Sequence, residues 1–191
     1  MLEKTPRPLG EALKGARAGM DKLACRSDEF LDIPRSIELT STAFAERGAI
    51  PARFTADGEG VSPPLAWGRL PADAVSLVLL VEDPDAPSPS PLVHAIAWDL
   101  PVLGGGLAEG ALKSSAGEGE PHDLGRNSFL KAEYLPPDPP TGHGPHHYVF
   151  QLYALDRRLD LEGSPGRGKV VDAMAGRVLA IGELIGIYER P

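Results

Sequence analysis

The chain has 191 residues, a formal net charge of −8 and a sequence pI of about 5.1. This length suits one domain with a substantial core, and so acidic a surface repels a phosphate backbone, which excludes nucleic acid as an expected partner. Cys25 is the only cysteine, so the chain can form neither an internal disulfide nor a cysteine-based metal cluster.

The first residues carry charges and prolines where a secretory signal needs an unbroken apolar stretch. No run approaches the roughly 18 apolar residues of a membrane span. We therefore expect a cytoplasmic protein without an integral membrane segment. The 22 glycines and 20 prolines lie between strongly apolar runs, which indicates a β-rich, loop-rich domain.

Residues 1–32 are predicted to form an N-terminal helical extension, and residues 33–191 the β domain. Apolar residues recur in the extension at three- and four-residue steps, as in an amphipathic helix: Leu9, Leu13, Ala16, Met20 and Leu23. Basic residues outnumber acidic ones slightly, so such a helix could lie on a membrane surface. The stripe has no Phe or Trp anchor, which favours packing on the chain's own body or on a second copy in a homodimer.

From residue 36 onward the pattern changes to short strands between turns. Five runs are predicted as strands of an antiparallel sandwich: residues 36–42, 51–55, 75–81, 92–100 and 146–155. Residues 75–81 are nearly all apolar, as in a strand buried on both faces. In the next run, alternation places five residues on one face: Leu92, His94, Ile96, Trp98 and Leu100.

The last part of the chain changes period twice. Val170, Val171, Met174, Val178 and Ile181 follow helical spacing, and Gly182 stands where a helix often stops. Residues 183–189 then alternate as a closing strand. Residues 102–128 and 135–145 are predicted as long loops, which in a compact domain are usually functional or mobile.

An acidic turn, Asp83-Pro84-Asp85-Ala86-Pro87, follows the buried strand. Each proline holds the residue before it in extended geometry, which stiffens the turn, and two acids two residues apart can point to the same side. Taken alone, such a segment is more often a solvated acidic turn than a functional site. His94 lies on the alternating strand that follows.

A second cluster of polar residues, Gly144-Pro145-His146-His147-Tyr148, begins the long apolar strand. On a strand, His146 and Tyr148 share one face while His147 points away. An imidazole beside a phenol can donate two hydrogen bonds to an oxyanion. A nearby carboxylate favours the imidazolium form, which strengthens that donation.

Several motifs in order resemble the bacterial, Raf kinase inhibitor-like branch of the phosphatidylethanolamine-binding family, from about residue 36 to residue 188. They are Phe54-Thr55-Ala56-Asp57-Gly58, Ser62-Pro63-Pro64-Leu65-Ala66-Trp67, the acidic turn with His94, Gly125-Arg126-Asn127, Pro139-Pro140-Thr141-Gly142 and His146-His147-Tyr148-Val149-Phe150. Separate motifs in the right order and at matching spacings make this resemblance specific.

The resemblance implies a mainly β fold: an antiparallel Greek-key β-sandwich with a large central sheet, a smaller sheet and a few peripheral helices. It implies a pocket for a small anionic, phosphate-like ligand. We expect no cofactor. Carried over by position, the ligand-binding residues would be Asp83, Asp85, Pro87, His94, His146 and Tyr148. Related proteins are described as kinase or protease inhibitors, so a regulatory or inhibitor role toward a protein partner is expected.

Three departures from the family pattern bear on ligand preference. Leu92-Val93 stands where bacterial members tend to carry Trp before the pocket histidine, so an aromatic wall is missing. His147 replaces an arginine that commonly follows the second histidine. The loop Leu135-Pro136-Pro137-Asp138 has two prolines without an N–H and an added carboxylate, which predicts a pocket with altered preference.

Two other functions use the same residues. A hydrolase could combine Asp83 and His94 with Ser62 or Ser128 as the nucleophile, but neither serine lies in a Gly-x-Ser-x-Gly elbow. A zinc site could use His94, His146 and Asp83, while His122 and His143 are interpreted as loop residues. We therefore predict a binding protein with no catalytic residues and no metal.

The Ala86–Pro87 peptide bond is predicted to be cis. The chain must turn directly after a buried strand while both prolines fix φ near −65°, and a cis bond reverses direction in the shortest length. The resemblance also implies a cis proline in this turn.

Overall fold

The computed structural model describes residues 6–113 and 122–190, so parts of the predicted extension 1–32 and loop 102–128 lie outside the described residues. The helices of the described part are α1 (Arg7–Ala12) and α2 (Arg167–Met174), with short 3-10 turns at Met20–Lys22, Ala24–Arg26, Asp28–Phe30 and Ala52–Phe54. Its strands are β1 (Glu38–Thr40), β2 (Gly48–Ala49), β3 (Leu65–Gly68), β4 (Ser76–Asp83), β5 (Leu92–Leu100), β6 (Gly106–Leu107), β7 (Asp123–Gly125), β8 (His146–Leu155) and β9 (Val178–Tyr188). None of the helices in these residues is long and apolar enough to cross a membrane.

The strands form two sheets, which confirms the predicted mainly β fold. The large sheet has six strands in the order β2-β9-β8-β4-β5-β7, and the small sheet has three in the order β1-β3-β6. Neighbouring strands are antiparallel except β2 and β9, which pair in parallel. These two strands lie far apart in the sequence, so no hairpin constrains their relative direction. The arrangement is compatible with a Greek-key sandwich.

The large sheet separates two apolar cores because its central strands are buried on both faces. On one face, Leu77 and Leu79 of β4 belong to the same apolar cluster as Leu39 and Trp67 of the small sheet. On the other face, alternate residues of the large sheet form a second cluster with the N-terminal segment and with α2. These two elements contribute Leu23, Cys25, Phe30, Val170 and Met174 to it.

Strand β5 does not keep the strict alternation that its sequence predicts. The register with β4 shifts between the pairs Val81↔Ala95 and Glu82↔Val93, as a β-bulge produces, and again between Leu79↔Ala97 and Leu77↔Leu100. Ile96 and Trp98 therefore face the second core, whereas His94 lies against Tyr148 on the first side. The prediction that His94, Ile96, Trp98 and Leu100 share one face is wrong.

Two other predicted elements differ in the structure. Residues 51–55, predicted as a strand, instead contain the 3-10 turn Ala52–Phe54. The helix predicted to continue to Ile181 ends at Met174, because Gly176 adopts a φ of +69° and reverses the chain. Strand β9 consequently begins at Val178 and includes Gly182, which approaches Ile37 too closely to admit a Cβ.

The N-terminal segment contains no long amphipathic helix within its described residues. The α-helix stops at Ala12, and Gly19 adopts a φ of +109° that a continuous helix could not accommodate. Leu9 and Met20 are exposed, while Leu23 and Phe30 are buried in the second core. The segment therefore packs on the chain's own body through its 3-10 turns, and the division of domains at residue 32 stays a prediction.

Burial of Phe30 predicts that the N-terminal segment contributes to stability. Phe30→Ala should lower the free energy of unfolding by about 3–5 kcal/mol, since it removes a fully buried aromatic side chain. The neighbouring Leu31 is 56% exposed, so Leu31→Ala should change it by less than about 0.5 kcal/mol. Urea unfolding measures both values. Equal effects of the two substitutions would contradict the packing described here.

Candidate ligand-binding cavity

A cavity of about 210 Å³ opens where β4 ends and where β5 and β8 begin. Three kinds of segment border it: these strand ends, the turn after β4, and the loops 127–140. Its lining includes five of the six predicted site residues, namely Asp83, Pro87, His94, His146 and Tyr148. Asp85, the sixth, lies outside the lining. The rest of the wall is largely apolar and includes Leu92, Phe129, Leu135 and Pro139.

A chain of hydrogen bonds connects the acidic turn to two histidines. His146 Nδ1 lies 2.7 Å from Asp83 Oδ2, and His146 Nε2 lies 2.7 Å from His143 Nδ1. His143 Nε2 in turn lies 2.8 Å from the carbonyl oxygen of Leu13 and 3.2 Å from that of Ala16. His143, which the sequence indicated only as a loop residue, is fully buried and holds His146 in place.

The partners of this chain determine where its protons lie. Carbonyl oxygens only accept, so His143 Nε2 carries a proton. Burial, together with the charge of His146, lowers the pKa of His143, which leaves His143 neutral and its Nδ1 an acceptor. His146 Nε2 must then donate to His143, and His146 Nδ1 donates to Asp83. With both ring nitrogens of His146 donating, the pair is an imidazolium with a carboxylate.

His94, unlike His143 and His146, is hydrogen-bonded at only one of its two ring nitrogens. Its Nδ1 donates to the carbonyl oxygen of Leu135 at 2.6 Å, and its Nε2 has no hydrogen-bond partner among the described residues. The side chain lines the cavity although the residue is only 2% exposed. Burial lowers the pKa of His94, and the charge of Asp83 offsets this only in part. The neutral ring therefore presents an unshared electron pair on Nε2.

Tyr148 packs its ring edge-on against His94, with ring centroids 5.0 Å apart. Its ring lies in the first core, and the residue also lines the cavity. Burial and the charge of Asp83 raise the pKa of Tyr148, so the hydroxyl remains a donor at neutral pH.

Asp85 stabilises the turn from outside the cavity. Its Oδ2 accepts hydrogen bonds from the backbone N–H and the ring Nδ1 of His147, both at 2.7 Å, and its Oδ1 pairs with Arg17. Burial alone would raise the pKa of Asp85, but the hydrogen bonds from His147 and Arg17 outweigh it and hold that pKa below its ordinary value. Asp85 therefore fixes the loop geometry in this structure.

The Ala86–Pro87 bond is not cis; no peptide bond among the described residues is. The turn extends over residues 84–91 before β5 begins, so the chain has room to reverse through trans bonds. The N-terminal segment fixes this turn, because the N–H groups of Ala18 and Gly19 donate to the carbonyl oxygens of Ala86 and Pro84.

Asp138, the acidic residue of the 135–138 loop, pairs with an arginine that lies far away in the sequence. Arg190 Nη1 lies 2.8 Å from Asp138 Oδ1, and the same guanidinium contacts Asp57 at 2.7 Å. At the mouth, Lys131 pairs with Glu133 at 3.2 Å. The charge of each of these rim acids is therefore at least partly balanced.

Phe129 supplies an aromatic wall that sequence reasoning did not identify. Asn127 Oδ1 accepts hydrogen bonds from the N–H groups of Phe129 and Lys131, and Asn127 Nδ2 donates to the carbonyl of Glu133. This turn holds Phe129 against the cavity with 46% of the residue exposed, while Leu130 is 75% exposed. The motif Gly125-Arg126-Asn127 was the available signal, because its asparagine builds the turn.

The residues considered for other chemistry have structural partners. Ser62 Oγ accepts a hydrogen bond from the N–H of Leu112, and Ser128 Oγ accepts one from Val93. Neither serine lines the cavity that contains Asp83 and His94. Within residues 6–113 and 122–190, no three His, Cys, Asp or Glu side chains form a group that could hold a metal ion.

Comparison with known proteins establishes the family. Residues 40–189 match the sequence profile described as phosphatidylethanolamine-binding protein. The chain belongs to the phosphatidylethanolamine-binding protein family. The match to a UPF0098 protein of Methanothermobacter thermautotrophicus has 42% identity over 155 residues and covers 81% of this chain and 99% of the relative. This chain is 41% identical over 151 residues to UPF0098 protein PH1269 of Pyrococcus horikoshii, covering 78% and 75% of the two chains.

Solved structures of the family share the fold. A phosphatidylethanolamine-binding protein homologue from Chlamydia trachomatis is 35% identical, with a TM-score of 0.74 over 82% of this chain and 99% of that one. The E. coli protein YbcL is 26% identical, with a TM-score of 0.74 over the same shares. The family match starts at residue 40, so the contacts from Leu13, Ala16 and Arg17 come from outside the matched region.

The depressed pKa of Asp85 predicts an acid-dependent contribution to stability. Folding lowers the pKa of Asp85, so the ionised carboxylate stabilises the folded protein. This stabilisation is fully present above the unfolded-state pKa of Asp85, near 4, and is lost as the pH falls through the lower folded-state pKa. Asp85→Asn should lower the free energy of unfolding by about 1–3 kcal/mol at pH 7. Near pH 2 the variant and the wild type should converge. Asp28→Asn, at an exposed position, is the control and should have little effect at either pH. Urea unfolding measures each value, and a loss that persists unchanged in acid would contradict this role of Asp85.

Proposed function

We propose that the chain is a binding protein for small organic oxyanions of the phosphate type, which it holds in this cavity without chemical turnover. The observation that carries the proposal is that His94 and Tyr148 line one largely apolar cavity, where the buried Nε2 of His94 has no hydrogen-bond partner among the described residues. Buried polar groups normally find partners, and a few convergent polar groups in an apolar cavity are typical of a ligand site.

The surrounding charges permit an anion to enter. Asp83 is paired with His146, and Asp138 with Arg190. Lys131 at the mouth adds a positive charge whose partner, Glu133, is itself partly exposed. The carboxylates of Asp83 and Asp138 are therefore compensated within the protein, which reduces their repulsion of an anion.

The shape of the cavity favours an anion with a small organic group. Its volume of about 210 Å³ is below the range of about 300–1,000 Å³ usual for drug-sized ligands. Phe129 and Leu92 form an apolar wall beside the polar end. An organic group on that wall would bury apolar surface, while its anionic end would reach Tyr148 and His94.

Family membership supports ligand binding in general, and the finer expectations from the sequence are retained as proposals. A regulatory or inhibitor role toward a protein partner is consistent with the exposure of Phe129 and Leu130 beside the cavity mouth. A homodimer and a cytoplasmic location stay predictions. The hydrolase alternative gains no support, since the hydroxyls of Ser62 and Ser128 accept backbone hydrogen bonds outside the cavity.

Removal of one hydroxyl tests the proposal. Tyr148→Phe should weaken binding of phosphate and of phenyl phosphate by about tenfold, since a hydrogen bond to a charged group contributes roughly 1.5 kcal/mol. Tyr188→Phe is the matched control, because its hydroxyl bonds to Asp57 and does not line the cavity. Isothermal calorimetry measures both affinities. Failure of either ligand to bind the wild type, or unchanged affinity in Tyr148→Phe, would contradict the proposal.

A further inference from the structure

The polar groups around the cavity differ in whether they can accept another proton. Both ring nitrogens of His143 and of His146 are engaged, the first with carbonyl oxygens and His146, the second with His143 and Asp83. Asp83 Oδ1 accepts the N–H of Asp85, and its Oδ2 faces His146. These hydrogen bonds engage all four ring nitrogens of His143 and His146, so neither imidazole has an open position for a further proton.

His94 has an open position. Its Nδ1–H is committed to Leu135, and its buried Nε2 has no partner among the described residues. An oxyanion that reached this atom while the ring is neutral would meet a lone pair, and two lone pairs cannot form a hydrogen bond. The negative charges of Asp83 and Asp138 also act on His94, so an unprotonated ring would offer the anion nothing favourable.

We propose that an oxyanion binds in this cavity together with one proton, held between His94 Nε2 and the anion. The proton comes from solvent: an N–H bond forms on His94, and no bond in the ligand breaks. Since the inference specifies how the cavity accepts an anion, it rests on the proposed function. A ligand that carries its own acidic proton, such as a phosphomonoester monoanion, could supply the same proton from its hydroxyl.

The groups around His94 determine whether a bound anion raises or lowers the pKa of its ring. Asp83 on β4 and Asp138 on the 135–145 loop favour the protonated ring, while burial and the charge of His146 on β8 disfavour it. Tyr148, also on β8, contacts the ring as a neutral phenol, and Lys131 and Glu133 lie together at the mouth. The negative charge of a bound anion would add to the favourable side and raise the pKa of His94 in the complex.

Because a proton is taken up on binding, the affinity for the anion should decrease as the pH rises. Above the pKa of His94 in the free protein, which lies below its ordinary value, affinity should fall about tenfold for each unit of rising pH. Below that pKa the ring is already protonated, and affinity should become independent of pH. The dependence should also level off above the pKa of the complex.

Sulfate is a suitable probe because it does not titrate in the working range. Calorimetry of sulfate binding to the full chain near pH 7.5, in two buffers of different ionisation enthalpy, should show uptake of about one proton per sulfate bound. His94→Gln places an amide near Nε2 and cannot titrate, so its sulfate affinity should be weaker and independent of pH. Glu133→Gln, which removes a carboxylate at the mouth, is the control and should retain the uptake.

The outcomes separate this inference from the proposed function. Sulfate binding without proton uptake in the wild type overturns the inference and leaves anion binding intact, as does uptake that persists in His94→Gln. Sulfate, phosphate and phenyl phosphate all failing to bind between pH 5.5 and 8.5 overturns both. If His94→Gln does not fold, a sulfate-dependent shift of the His94 imidazole NMR signals toward the protonated form decides the matter in the wild type, and its absence overturns the inference.

Discussion

The hydrogen bond between Asp83 Oδ2 and His146 Nδ1, 2.7 Å long and buried, joins the end of β4 to the start of β8. A buried charged pair remains favourable only when its other polar atoms are also satisfied. The N–H of Asp85 satisfies the carboxylate, and His143 satisfies the imidazolium. This pair therefore holds the acidic turn and the 139–145 loop together at the cavity.

The same chain of hydrogen bonds connects the cavity to the N-terminal segment. His143 ends the chain on the carbonyl oxygens of Leu13 and Ala16, and Arg17 pairs with Asp85. A Cβ at Gly10 would collide with the carbonyl of Thr141, so the segment lies directly on the loop that carries His143. Residues outside the family match thus fix both loops that flank the strands of the site.

The sequence was sufficient to identify the family, the two-sheet fold and five of the residues that line the cavity. It succeeded where a motif coincides with a regular strand, as at His146 and Tyr148. It failed where one residue changes the register: the shifts in β5 move His94 away from the face of Ile96 and Trp98. It also missed Phe129, because a side chain projected from a turn leaves no periodic pattern in the sequence.

The sequence also did not predict ion pairs and hydrogen bonds between residues that lie far apart in the chain. The added acid Asp138 predicted an altered ligand preference, yet Arg190, from the far end of the chain, pairs with it. His143 was interpreted only as a loop residue because its acceptors belong to residues 13 and 16. Pairings of this kind depend on tertiary contacts that local patterns do not encode.

The protonation of the two cavity histidines is the central claim, and the ring nitrogen resonances of the ligand-free protein near pH 7 test it most directly. Long-range 1H–15N NMR should show both nitrogens of His146 protonated, and His94 protonated only at Nδ1. A bare nitrogen on His146, or a proton on Nε2 of His94 without any ligand, would contradict the account.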